Sequence, residues 1–289
     1  MQSDDKRTIL ESKDATNIQK SHGGAMDELL QPDGQPSNLV GVGLGVKWTN
    51  GQPTGKPAIL ALVSQKLPKD ELTPEELIPA KINELQTDVL AIGQPFAGQA
   101  EPEFDIELLA QRARPASGGY SVGHRDITAG TIGTCVYDLQ GSGSNPAGIP
   151  RRFYILSNNH VLANSNRANP GDPILQPGRF DGGVDPADRI ARLNRFVPIS
   201  FDPPVARARH RNLVDAAVAE GQFHDLKREI HWVGHLRGWV PRAAVRVGMP
   251  VHKTGRTTNY TTGRITAVNA TIDVNYGGGQ VARFRDQIV

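Results

Sequence analysis

The stretch that decides the reading is Tyr154 to Ala163, YILSNNHVLA. An apolar, β-prone run, Phe153-Tyr154-Ile155-Leu156, stops at Ser157-Asn158-Asn159 and delivers one histidine, His160. Val161 and Leu162 then return to apolar character. A strand that ends this way places an imidazole at the rim of a sheet, where it is half shielded and free to exchange a proton. The plain alternative is a histidine at the edge of the core, bonded to a backbone carbonyl.

Two other stretches bear on that choice. In NLVDAAVAE, Asp215 interrupts the apolar run Leu213, Val214, Ala216, Ala217 and Val218, which the pattern reads as a strand. An aspartate inside an apolar strand needs a charged or hydrogen-bonding partner. The third stretch is VHKTGRTTNYTTGRITAV, 251 to 268, with turn residues between β-prone runs.

Together the three resemble the trypsin-like, chymotrypsin-fold serine proteases, and more narrowly the branch with an extra N-terminal domain, of the Narrow-leaf type. The resemblance runs from about Leu39 onward. It implies a mostly β protein with a chymotrypsin-like double β-barrel, its second barrel incomplete, preceded by a small α+β domain. It also implies that His160 is the general base and Asp215 its orienter. No Gly-Asp-Ser-Gly segment occurs before Val289. The nucleophilic serine is therefore expected outside these 289 residues, which by themselves should hydrolyse nothing. A catalytically inactive binding or assembly module that keeps the protease architecture is the second reading.

Composition bounds both readings. Hydrophobic residues make up 38% and charged residues 21%, the balance of an ordinary globular protein. The net charge of +2 gives no general attraction to nucleic acid or membrane. The 31 glycines and 21 prolines fall largely between short apolar runs, as in β-rich folds. The single cysteine, Cys135, excludes an intrachain disulfide and suits a reducing compartment. MQSDDKRTIL lacks the basic start and apolar run of a signal peptide, and no apolar run approaches the roughly 18 to 20 residues of a membrane span. A cytoplasmic location is expected.

The chain divides into a flexible tail (1–37), a small β-β-α-β domain (38–95), a linker (96–120), a first barrel with the histidine and aspartate (121–225) and a partial second barrel (226–289). In the small domain Val40, Val42, Leu44, Val46 and Trp48 alternate with Gly41, Gly43, Gly45 and Lys47, a strand with one buried face. Its glycines lie within the strand, so GVGLGV is no dinucleotide site, which needs a strand before the glycines and a helix after them. LTPEEL reads as a helix start with Thr73 as cap. The half-barrel should leave an unpaired edge near Gln280 to Val289.

Other chemistry-bearing residues read as structural. Cys135, within a strand, is a packed thiol. The serines of GSGS, 141–144, sit in a loop with no strained turn to present them. His124 and Asp126 are turn polarity. Asp181, Asp185 and Asp188 lack the run of a calcium loop, and His231 and His235 have helical metal spacing interrupted by Gly234. VARARHRN, 205–212, is a solvated basic loop. No cofactor and no metal is expected. The implied partners are a polypeptide substrate and a second chain or further segment completing the barrel, with another copy of the chain as an alternative.

Overall fold

A computed structural model describes residues 15–31, 35–97, 107–138 and 150–289. The protein is mostly β. Helix α1 (Ala15–Leu29) comes first. It is not the loose tail the polar composition suggested, because Ile18, Ala25 and Leu29 fall on one helical stripe and are buried. The stripe packs on β1 (Leu39–Thr49) against Val42 and Leu44. Strand β2 (Gln52–Val63) returns antiparallel to β1. The chain then crosses over to β3 (Lys81–Ile82) and β4 (Leu85–Ala91), and β4 runs parallel to β2. The expected helix at LTPEEL is a single 3₁₀ turn, Pro74–Glu76. Its capping box is present, with the Glu76 carboxylate accepting from Thr73 N, but Pro79 follows too soon for further turns.

The alternation in β1 predicted one buried face, yet both faces are covered. Val42 and Leu44 meet α1, while the opposite face meets Leu60, Ala267 and Ala270. A Cβ on Gly41 would stand 2.5 Å from the Thr271 carbonyl oxygen, so only glycine lets the strands approach there.

After α2 (Glu107–Ala110) and β5 (Ala116–Gly118), a seven-stranded sheet is built from β6 (Ser121–His124), β7 (Gly130–Thr131), β8 (Thr134–Tyr137), β9 (Phe153–Ser157), β10 (Pro173–Leu175), β11 (Arg189–Phe196) and β12 (Ala217–Gly221). The strand order is β7-β6-β10-β11-β12-β9-β8. The two edges, β7 and β8, are joined through Ile132 and Gly133 alone. Ile132 N donates to Tyr120 O and Gly133 N to Leu156 O, both at 2.9 Å, so the sheet curls until its edges meet. Val122, Ile132, Ile155, Leu162, Ile174 and Leu193 fill the interior. Helix α3 (Asn159–Leu162), one turn long, closes one end.

The remaining strands are β13 (Leu226–Ile230), β14 (Gly234–His235), β15 (Pro250–Gly255), β16 (Asn259–Arg264), β17 (Ala267–Asn275) and β18 (Val281–Gln287). Their pairing joins stretches that the sequence placed in separate units. β17 pairs with β1, giving a six-stranded sheet of order β18-β17-β1-β2-β4-β3. β15 and β16 form a two-stranded sheet by themselves.

The strand edge expected to be open at Gln280 to Val289 is closed. Val281 N and O exchange hydrogen bonds of 2.9 and 2.8 Å with Asp202. Arg283 N donates to His210 Nδ1, and Arg283 O accepts from Asn212 Nδ2. Arg285 N donates to Asn212 O. The outward groups of β18 are therefore taken by the loop that precedes Asp215. In the same junction Arg283 forks onto Asp273, Nε to Oδ1 at 2.7 Å and Nη2 to Oδ2 at 2.8 Å. It also caps Leu30 O just past α1.

Candidate functional site

His160 owes its position to packing on one side and amides on the other. Its one-turn helix lies so close to β7 that a Cβ on Gly130 would stand 2.4 Å from Val161 Cγ2. Asn159, fully buried, donates from Nδ2 to Asn166 Oδ1 and to Val197 O, each at 2.8 Å, and accepts from Asn166 N at 2.9 Å. Asn164, Ser165 and Asn166 take left-handed backbone angles in succession (φ 48°, 53° and 71°), which turns the chain back to make those bonds. A buried amide with its donors and acceptor satisfied fixes one geometry for the turn.

Asp215 reaches that turn from the other side. It lies in the segment before β12, two residues short of the strand, and not inside it as its apolar neighbours suggested. Leu213 and Val214 are correspondingly exposed. The carboxylate accepts twice from His160: Nδ1 to Oδ2 at 2.6 Å and the backbone N to Oδ1 at 3.2 Å. Asn158 Nδ2 donates to Asp215 O at 3.0 Å. An ionised carboxylate only accepts, so Nδ1 carries the ring proton and the Nε2 lone pair is left for an incoming proton.

Tyr276 adds a third donor, its hydroxyl 2.8 Å from the same Asp215 Oδ2. The ring stands edge-on to His160 and to Phe201, with centroids 6.0 and 5.0 Å away. Burial acts to raise the Asp215 carboxyl, but the hydrogen bonds and charge of His160, with the Tyr276 hydroxyl, outweigh it and hold the group below its ordinary value. Burial and the neighbouring Asp215 charge push the Tyr276 phenol far above its ordinary value, so it stays a neutral donor. In the sequence Tyr276 stands before Gly277-Gly278-Gly279, a pattern that offers only a turn. Nothing near it in sequence points to Asp215, since the two are brought together only by β17 returning to the junction.

Two clefts meet at this pair. One, of about 540 Å³, has a largely polar wall that includes Asp126, Thr131, Asn164 and Arg167. The other, about 640 Å³, is largely apolar, with Phe96, Leu213, Val214 and Phe284. His160, Asn158, Ala97 and Tyr276 border both. Among the described residues, no side chain hydrogen-bonds His160 Nε2. The arrangement can take a proton from a group in the cleft and hold the resulting imidazolium beside a carboxylate.

Apart from Asp126, which lines the polar cleft, the remaining candidates fall outside the site. Cys135 is buried, and burial pushes its thiol up to about 11. His124 Nδ1 accepts from Asp126 N at 3.2 Å, which is turn polarity, while Nε2 meets Asp172 at 3.2 Å. The three aspartates of the long loop do not converge on a cation. Asp181 pairs with the buried Arg256, Asp185 with Arg189 and Asp188 with Arg112. His235 lies in a short strand, and among the described residues no cluster of three potential metal ligands occurs. The GSGS loop lies outside the described residues.

The loop 205–212 is less solvated than expected. Arg207 bridges Asp202 and Asp273, and His210 is fully buried, with Nε2 donating to Val205 O at 2.8 Å.

No protein-family model matches the chain, and no curated protein matches it. No described helix is long and apolar enough to cross a membrane.

Proposed function

We propose that the chain carries the base and orienter of a Ser-His-Asp peptide hydrolase of the trypsin-like kind. The observation that supports this best is the double contact of Asp215 with His160, through Nδ1–H and through the backbone N–H. A carboxylate so placed fixes the tautomer, aims Nε2 at the cleft and stabilises the imidazolium when a proton arrives. In this mechanism a serine hydroxyl approaches Nε2, loses its proton to it and attacks the peptide carbonyl. His160 then returns the proton to the leaving amine. The serine and the oxyanion donors come from outside the described residues.

The second reading is a non-catalytic polypeptide-binding module. The largely apolar cleft beside the pair would receive the bound segment. A fluorophosphonate probe separates the two when applied to the protein from its natural source, beside a His160→Ala variant expressed in the same host. Labelling that disappears with His160 supports the hydrolase. Absent labelling, or labelling indifferent to His160, removes catalysis and leaves the binding module.

A further inference from the structure

Between positions 226 and 264 only Leu226, Thr254 and Arg256 are buried. That segment nevertheless carries Trp232, Trp239, Leu236, Val240, Val251 and Tyr260, all among the exposed large apolar side chains. Trp239 is 83% exposed. Apolar surface of this density marks an interaction site. Charge is segregated in the same segment: eight lysines and arginines stand against Glu229 within it and against Asp181 and Asp286, which pair with Arg256 and Arg242 from outside it, a net +5 in a chain whose total is +2. The remainder is therefore net negative, so the segment's positive field is a local feature.

The backbone gives this surface a form. A lone two-stranded hairpin is marginal in water and gains stability from a third strand. β15 and β16 are such a pair, anchored to the barrel by Arg256, which forks onto Asp181, and by Thr254, whose hydroxyl donates to His231 O at 2.6 Å. Those anchors lie on the β15 side. Ile265 N donates inward to Met249 O at 2.9 Å, and the two-residue alternation from there turns the amides of Arg264, Thr262 and Tyr260 outward. All three residues are exposed. Pro250 faces Arg264 in the register.

We propose that the outer edge of β16 accepts an extended, net-acidic strand from a separate polypeptide, added antiparallel or parallel to Asn259–Arg264. Main-chain hydrogen bonds would supply the pairing, and the exposed Arg264 of β16, with Lys253 of the same hairpin, would select acidic side chains. Where a further segment of the same chain takes this edge, as the hydrolase reading implies, exchange at 259–264 is slow before any peptide is added, and that result overturns the proposal.

The probe is a short synthetic peptide in which valine alternates with glutamate, compared with its lysine-for-glutamate counterpart. Binding is followed by amide hydrogen exchange and ¹⁵N shifts of the intact protein. The acidic peptide should slow exchange at Tyr260, Thr262 and Arg264, and added salt should weaken it. Thr262→Pro, which removes an outward N–H and no hairpin bond, should abolish the protection. Arg264→Glu, which keeps every amide, should weaken binding about tenfold and serves if the proline variant fails to fold. The proposal is overturned if both peptides bind equally or if exchange at 259–264 is unmoved. It is also overturned if a single-stranded oligonucleotide protects the edge and the peptide does not, or if protection follows a concentration-dependent dimer.

Discussion

Replacing Tyr276 by phenylalanine removes one hydrogen bond to Asp215 and leaves the ring. The aromatic packing on Phe201 and His160 stays, so the change isolates the hydroxyl. Hydrogen bonds to charged groups contribute roughly 1.5–3 kcal/mol. Asp215 is only 13% exposed in its side chain and keeps its two bonds from His160, so the loss belongs near the lower end, about 1.5 kcal/mol. One pKa unit corresponds to about 1.4 kcal/mol, so the Asp215 carboxyl should rise by about one unit. Its folded value is depressed in the native protein. Its contribution is therefore present above the ordinary carboxylate range and is lost as pH falls through the folded value. Urea unfolding of both proteins across acid and neutral pH checks this. The stability difference should be full at neutral pH and vanish once both carboxyls are protonated. With one competing donor gone, the His160 Nδ1 proton should also move downfield in the NMR spectrum. A variant as stable as the parent at neutral pH, with the Nδ1 resonance unmoved, would refute the assignment of Tyr276 to Asp215.

Arg283 and Asp273 are both nearly buried, and Arg283→Met would leave Asp273 with Arg207 as its one remaining cation among the described residues; a loss of about 3 kcal/mol, the lower end for breaking a buried pair, is expected in chemical denaturation. Asp273→Leu combined with Arg283→Met should recover part of that loss, because it removes the half-paired buried carboxylate while Arg207 keeps Asp202 as a partner. Cys135 should not react with a thiol reagent at neutral pH in the native state and should react once the protein is unfolded, since its thiol is buried and pushed up to about 11.

The β-rich character and the strand leading to His160 follow from local pattern, whereas the pairing of His160 with Asp215 is expected from the family resemblance alone. A strand is set by period-two apolar spacing, and an aspartate among apolar residues needs a partner within reach. Leu213 and Val214 are apolar and extend the strand pattern through Asp215; they are exposed, and the strand starts at Ala217. Helix α1 was hidden by Gly23-Gly24 and polar neighbours, and only contact with β1 makes its narrow apolar stripe count.

Local features are legible in the residues alone: where strands form, which histidine stands at a strand end, and that Cys135 has no cysteine partner. The tertiary structure alone decided that β17 pairs with β1, that the loop before Asp215 closes the edge of β18, and that Tyr276 reaches Asp215. It also decided that β15 and β16 stand as an isolated pair. The physical reason is that a hydrogen bond or a stacked ring has the same chemistry whichever distant residue supplies it. Residues such as Tyr276 and Asp215, 61 positions apart, are coupled only by the path of the folded backbone.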